Sequence, residues 1–382
     1  MSEVGAKALE LRAVLEEILP PIREKYKNFD AWEAKMAFQC AVASRGWTAP
    51  AWPVEIGGKG LTLEEQLECD AEFSRFDTPQ MPAVYGVKNV GPTIAAVGNE
   101  DQKKHLKGII EATELWCQGF SEPDYGSDLG GLRCRADLDG ETFVINGQKV
   151  WTSIGMHATH CMLLVRTDQN APKHKGISAL LVPLDLPGVS RRPIKQINGH
   201  AEFAEMFFED VRVPKSALLG PMNEGWRVTM TTLEYERSGV ITLAGALTGA
   251  INDLVKSDAV KTASPVMRDR IMKLYSEGRI LNIMGEQVLA EALGKGSSGT
   301  ASSLIKMVWS QLGRSLSEVR MDLTGMDAVA DFYHPVAQSF MGGRSNTIAG
   351  GTTEVMKNLI GERALGLPRE PTERSKKTRS KK

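Results

Sequence analysis

The feature that most limits what this chain can fold into is a change of apolar period in its middle. From residue 116 to about 215 the sequence breaks into short β-rich runs: "CMLLVRT", "GISALLVPL" and "AEMFFEDVRVP". Each is bounded by Pro, Gly or Asp, as strands are. "FVINGQKVW" carries Asn146-Gly147, a strong hairpin signal, and Asp139-Gly140 lies just upstream. Five or more short strands at this spacing predict a small barrel or sandwich. No helix-length stretch separates them, which argues against a doubly wound parallel sheet.

On both sides the period is helical. In "AKALELRAVLEEILPPI", Leu9, Val14, Leu15 and Ile18 fall near helical spacing, and "LTLEEQLECDAEFSRF" repeats the pattern. Between them "AWPVEIGGKGL" is Pro and Gly punctuation, a loop with close packing. After residue 216 a long helical run places Leu233, Val240, Ala244, Leu247 and Ile251 on one stripe, and further segments predict a bundle. The fold class is therefore α+β. The expected division is a helical domain over 1–115, a β domain over 116–215, a helical bundle over 216–370 and a disordered basic tail over 371–382.

Composition narrows the function. An apolar share of 42% over 382 residues supports a real core, and a formal net charge of −1 gives no global field for nucleic acid or a membrane surface. No apolar stretch approaches the roughly 20 residues that span a bilayer. The N-terminal stretch "MSEVGAKALE" is neither a signal region nor a transit peptide. Cys40, Cys69, Cys117, Cys134 and Cys161 are scattered and never C-x-x-C, so reduced, buried thiols are expected. The expected location is the cytoplasm. Neither G-x-G-x-x-G after a strand nor G-x-x-x-x-G-K-[ST] occurs, which argues against nucleotide binding by those routes. "HATH" puts His157 and His160 three apart without evident further ligands, so no metal is expected.

The stretch "GFSEPDYGSDLGG", residues 119–131, resembles the flavin-contacting signature of the acyl-CoA dehydrogenase family. The resemblance continues through "NGQKVWTS" at 146–153, "EDVRVPKSALLG" at 209–220 and "IAGGTTEVMKNLIGERALGLP" near the end, in family order over nearly the whole chain. It implies an N-terminal helical domain, a middle β-barrel and a C-terminal four-helix bundle, with FAD between the last two. Gln118, Phe120 and Ser121 match positions that face the flavin ring. Ser127 matches a hydroxyl on the CoA chain. Tyr125 departs from the small residue common in relatives. Trp151, Thr152 and Ser153 match the second flavin wall, and a spacing of two puts Trp151 and Ser153 on one strand face. A lone strand tryptophan is otherwise a core residue. Gly351, Thr352 and Glu354 match the region meeting the adenosine and pyrophosphate; Glu354 alternatively only favours a helix dipole.

Many relatives carry the catalytic glutamate at the position of Gly350. Here only its N–H remains, to polarise the thioester carbonyl. A minority branch, resembling isovaleryl-CoA and long-chain enzymes, carries the base on an earlier helix before an arginine. That position is Glu236, followed by Arg237, which is counted with Glu234 and Ser127 among substrate contacts. A structural ion pair for Glu236, and a solvated Glu234, are the plain alternatives. The implied reaction is α,β-dehydrogenation of an acyl-CoA to a trans-2-enoyl-CoA, with electrons passed to an electron-transferring flavoprotein. The Arg-x-x-F-G segment that grips a neighbour's FAD in many relatives is replaced by "ASPVMRDRIMKLYSEGR". A homotetramer, a dimer, or a heterotetramer with a related chain thus all remain open. So do two other readings: a non-catalytic FAD-binding subunit of a heteromer, and a flavin monooxygenase or oxidase on the same fold. "RTDQNAPKHKGISALLV" and Gly350 resemble bacterial relatives acting on steroid side chains or other bulky acyl-CoAs.

Overall fold

The computed structural model describes residues 4–238, 240–295 and 301–369, without the side chains of 236–242 and 289–295. The tail 371–382 lies outside the described residues. Contacts divide the chain into two compact units, Met1–Glu236 and Arg237–Lys382.

The first unit begins with α1 (Ala6–Lys25), α2 (Trp32–Ser44) and α3 (Leu63–Arg75). The buried face of α1 runs Ala8, Leu11, Leu15, Ile18 and Ile22, at spacings of three and four. Leu9 does not join it and is exposed, because one residue from Ala8 is about 100° around the helix. Leu11, Leu15 and Leu19 pack with Phe38, Val42, Trp47 and Cys69 into one core. At the start of α3 Thr62 and Glu65 form a capping box. The loop before it is tight: a Cβ on Gly58 would sit 1.9 Å from the Trp52 carbonyl oxygen. Short helices α4 (Gly91–Val97), α5 (Glu100–Lys103) and α6 (His105–Ile110) lead into the sheet.

The sheet comprises β1 (Trp116–Gly119), β2 (Arg135–Asp139), β3 (Thr142–Ser153), β4 (His160–Arg166), β5 (Ile177–Pro183), β6 (Val189–Ile194), β7 (Phe203–Pro214) and β8 (Leu218–Leu219). Their order is β6-β7-β3-β2-β4-β5-β8, with β1 parallel to β4. Alternation decides which core each side chain joins. Cys161, Leu163 and Val165 of β4 meet Phe143, Ile145, Met206 and Phe208 in a core that the sheet curves around. Met162 and Leu164 point the other way, against Trp52, Ile94 and Ile109 of the helices. Because β4 is buried on both faces, it reads as a continuous apolar run rather than an alternating one.

Asn146-Gly147 is not a turn. It lies inside β3, where the pairing with β7 shifts by one residue. The Asn146 side-chain amide donates to Asp210 Oδ1 at 2.9 Å, and the Asp210 N–H donates back to Asn146 Oδ1 at 3.0 Å. A Cβ on Gly147 would lie 2.6 Å from Cys134 Cα. Glu209 and Asp210 of β7 thus oppose the single residue Asn146 in a bulge, and Gly147 leaves room for Cys134 just ahead of β2. The hairpin turn is at Gly140, with φ +62, joining Asp139 to Thr142.

The unit's last residues lie in helix α7 (Gly225–Ser238). Among its described side chains and glycine, the buried positions are Gly225, Val228, Thr229 and Thr232, and Leu233 is only half-buried. The expected stripe through Leu233 is thus displaced by one residue. Threonines can occupy the buried face because their hydroxyls donate back four residues, Thr229 to Gly225 O at 2.8 Å and Thr232 to Val228 O at 3.0 Å.

The second unit is helical: α8 (Val240–Lys256), α9 (Asp258–Thr262), α10 (Pro265–Lys295), α11 (Ala301–Thr324), α12 (Met326–Ala330), α13 (Pro335–Gly342) and α14 (Thr353–Leu359). Ala244 and Ile251 of α8 pack with Ile271, Leu274 and Leu281 of α10 and Ile305, Leu312 and Leu316 of α11. Leu247 is partly buried against the same core. The side chain of Val240 lies outside the described residues. No described helix is long and apolar enough to cross a membrane.

Candidate active site

The signature stretch is held to β3 by a buried charge pair. Lys149 follows Phe143 and Ile145 in strand alternation, so its side chain enters the core and is fully buried. A buried ammonium needs a partner. Lys149 Nζ finds Glu122 Oε1 at 2.8 Å and the Phe120 carbonyl at 3.1 Å. Glu122, also buried, accepts the backbone N–H of Arg133 at 2.7 Å and of Cys134 at 2.8 Å. Glu122 thus accepts three hydrogen bonds and Lys149 donates two, the kind of partnering under which such a pair is tolerated. One further bond, Val150 N–H to Ser121 carbonyl at 2.9 Å, fastens the stretch to the strand.

Beyond Lys149 the pairing with β7 shifts again, and Trp151 takes φ +58. This left-handed conformation costs a tryptophan about 1–2 kcal/mol. Its indole is nevertheless 58% exposed and meets Phe203 edge-on at 6.0 Å. Ser153 is half-buried, whereas Thr152 between them is fully buried. Two buried polar atoms here have no hydrogen-bond partner among the described residues: Gln118 Nε2 and Thr152 Oγ1. Gln118 Oε1 is engaged, accepting from Asn89 Nδ2 at 3.2 Å. Asn89 sits on a π-helical turn, Gly86–Val90. The other end of Gln118 is thereby fixed while its donor end is left open.

The signature residues Tyr125 and Gly131 also line a cleft of about 580 Å³, together with Arg133, Arg135, Arg166 and Lys173 among others. Tyr125 explains the glycine beside it, because a Cβ on Gly131 would meet its ring at 2.5 Å. Arg133 lies 5.3 Å over the same ring. Arg166 is buried and donates only to carbonyls, of Gly130 at 2.7 Å, Lys173 at 3.0 Å and Leu132 at 3.3 Å. It forms no ion pair among the described residues, and burial lowers its pKa. Lys173 pairs with Asp128. Ser127 is exposed next to that pair.

The terminal loop belongs to the second unit. Gly350 and Gly351 have φ +65 and +97, and Gly350 is exposed. Thr352 caps α14, accepting from Val355 N–H at 3.2 Å. Glu354 is exposed in the first turn of that seven-residue helix. Buried Lys306 of α11 donates to the carbonyls of Asn346, at 3.3 Å, and Gly351. Glu234 is exposed on α7. Of the two residues that follow Tyr235, Glu236 and Arg237, the backbone is helical and the side chains lie outside the described residues.

Sequence models of the acyl-CoA dehydrogenase N-terminal, middle and C-terminal domains match residues 7–111, 117–211 and 223–365. The chain belongs to the acyl-CoA dehydrogenase family. It is 38% identical to the acyl-CoA dehydrogenase IpdE1 of Mycobacterium tuberculosis, over 90% of this chain and 91% of that protein. Among solved structures, it is similar to the Tcur3481-Tcur3483 steroid ACAD, with a TM-score of 0.83 and 30% identity, covering 95% of this chain and 97% of that one. The ChsE4-ChsE5 complex of M. tuberculosis gives a TM-score of 0.80 and 27% identity, covering 97% of this chain and 98% of that one.

Acyl-CoA dehydrogenases bind flavin, and the residues here fit such a group. A buried amide donor without a partner is a cost of about 1–3 kcal/mol unless a ligand accepts from it. An exposed indole on strained backbone is likewise out of place as packing. One backbone hydrogen bond ties Ser121 to Val150, the residue before Trp151, with Gln118 and Phe120 on the same stretch as Ser121. Phe120 packs partly against the helix-facing core. Glu122, Lys149, Arg166 and Lys306 were not among the expected site residues. The first two carried a signal: strand alternation points Lys149 inward, and the signature supplies a glutamate. Lys306 also carried one, lying at helical spacing with buried Ser302, Ser303 and Ser310. The cysteines divide as buried Cys69, Cys117, Cys134 and Cys161 and exposed Cys40. Burial pushes the Cys134 thiol up to about 11, so it serves as packing.

Proposed function

We propose that this chain catalyses α,β-dehydrogenation of an acyl-CoA thioester to the trans-2-enoyl-CoA, with FAD as cofactor and an electron-transferring flavoprotein as acceptor, in the cytoplasm. The observation that carries the reading is Trp151, an exposed indole on a left-handed backbone beside a signature loop pinned by Lys149 and Glu122. FAD, when bound, supplies the two-electron acceptor. Gln118, Phe120, Ser121, Trp151, Thr152 and Ser153 hold its ring, and Gly351, Thr352 and Glu354 its adenosine and pyrophosphate end.

Glu236 takes the α-proton of the thioester, and the Gly350 N–H donates to its carbonyl oxygen. Gly350 has φ +65, a conformation a side-chain-bearing residue adopts only at a cost of about 1 kcal/mol or more. The site therefore suits glycine, which favours a base on α7. Ser127, Glu234 and Arg237 contact the CoA chain. The cleft with Arg133, Arg135, Arg166 and Lys173 suits its phosphates, because Arg166 is a fixed cation that no carboxylate among the described residues pairs with. The solved relatives carrying "steroid" in their names favour a bulky, steroid-derived acyl group as substrate.

A second reading, an FAD-binding subunit that needs a related chain for turnover, is favoured by the carboxylate missing at Gly350 and by the two-chain complex among the structural relatives. One experiment separates the two. The full-length chain, purified alone, is expected to be yellow and to bleach anaerobically when a bulky acyl-CoA is added. A yellow protein that bleaches only with a related chain present supports the second reading. A colourless protein that takes up no FAD overturns both.

A further inference from the structure

A cluster away from the proposed active site has the composition of a cation site. His105 opens α6, Glu114 lies in the link to β1, and His160 opens β4. Local sequence does not bring them together. The register of the parallel pair does, since Trp116 stands opposite His160 and Glu114 is two residues before Trp116. One ligand atom from each of the three side chains can be chosen so that all lie within 4.8 Å of one another. His105 Nδ1 is 2.9 and 3.0 Å from the two Glu114 oxygens.

The surroundings orient these groups. Trp116 Nε1 donates to Glu114 Oε2 at 2.9 Å, which fixes the carboxylate. Thr159 Oγ1 lies 2.9 Å from His160 Nδ1, which leaves Nε2 as the free nitrogen of that ring. The Trp116 indole stacks on the His160 imidazole at 4.8 Å and sets its plane. His160 is held as metal-binding histidines are, with one nitrogen engaged and the ring fixed by a neighbour. The other histidine of "HATH" is elsewhere: His157 stacks on Trp32 at 3.8 Å.

We propose that His105, Glu114 and His160 bind one divalent first-row cation of the Zn²⁺ type. Two imidazoles and a carboxylate form the borderline-soft N₂O set that Zn²⁺ accepts, and all three residues are half-buried, so water completes the shell. Ligand atoms about a tetrahedral Zn²⁺ stand roughly 3.3 Å apart, given metal–ligand bonds near 2 Å. The cluster reaches this by closing its longest separation, with the His105–Glu114 pair already near it. The role follows from position. The cation ties α6 to the starts of β1 and β4, four residues upstream of Gln118. It acts as a clamp at the start of β1, the strand that leads into the signature stretch, and nothing in it depends on the dehydrogenase reaction.

The test uses the full-length chain with no affinity tag, stripped with a chelator, and titrated with Zn²⁺ by calorimetry and with Co²⁺ by visible absorption. The expected result is one Zn²⁺ per chain, d–d bands of a low-coordinate Co²⁺, and a higher melting temperature with the metal. Affinity falls roughly tenfold or more in His105→Gln and in His160→Gln, and is unchanged in His334→Gln. Circular dichroism and flavin content confirm that the variants fold. Absence of stoichiometric binding to the wild-type chain overturns the proposal. Binding that survives both ligand substitutions does so equally.

Discussion

The signature loop at 119–131 and the terminal loop at 348–355 are both held by a buried lysine, but in different ways. Lys149 meets a carboxylate that itself accepts two backbone amides, all inside the sheet unit. Lys306 meets backbone carbonyls at a loop in which Gly350 is exposed. The first arrangement fixes side-chain and backbone groups in a closed network. The second fixes only the course of the chain. A loop that positions a ring needs the former; a loop that lets a long ligand approach backbone N–H groups needs only the latter.

The difference is open to mutation. The largest effect is expected for Lys149→Met, which strands the Glu122 carboxylate in the core and lowers stability by about 3–5 kcal/mol. A urea titration measures this, and a loss under 1 kcal/mol would show that the pair is not a network. Lys306→Met removes donors to two carbonyls and is expected to cost about 1–3 kcal/mol by the same method. An equal or larger loss than at Lys149 would erase the contrast between the loops. Thr352→Ala removes the cap of α14 at a cost of about 1 kcal/mol, visible as a small drop in melting temperature. The smallest stability effect is expected for Trp151→Gly. Relief of the left-handed strain, about 1–2 kcal/mol, is largely offset by glycine's lost backbone entropy, about 0.5–1 kcal/mol. Stability should therefore hardly change, while flavin retained through gel filtration should fall several-fold. A large destabilisation with normal flavin content would make Trp151 ordinary packing.

The sequence was legible where one rule acted alone. β4, β5 and β7 follow from their apolar runs, and the middle sheet between helical parts follows from the change of period. It misled where two rules competed. Asn146-Gly147 has the chemistry of a turn, but Asp210 across the sheet captures Asn146, and Gly147 is needed to admit Cys134. Leu9 is apolar yet exposed, and Thr229 and Thr232 are polar yet buried, because helical phase and hydroxyl back-bonding outweigh residue type. The chemistry around Trp151 was legible only as a resemblance. The strain at its backbone and the open end of Gln118 depend on strand register, which no local pattern encodes. In the cluster of His105, Glu114 and His160 the outer members are 55 residues apart, and "HATH" pointed to His160 without its partners, which only the strand register supplies.

The role given to Glu236 remains the centre of the functional proposal. Its most direct test is Glu236→Gln, mixed anaerobically with a bulky acyl-CoA while the flavin absorbance is followed. The proposal predicts a protein that keeps its FAD and binds the thioester but bleaches slower by several orders of magnitude. Bleaching at close to the wild-type rate would contradict it and move the base to another residue.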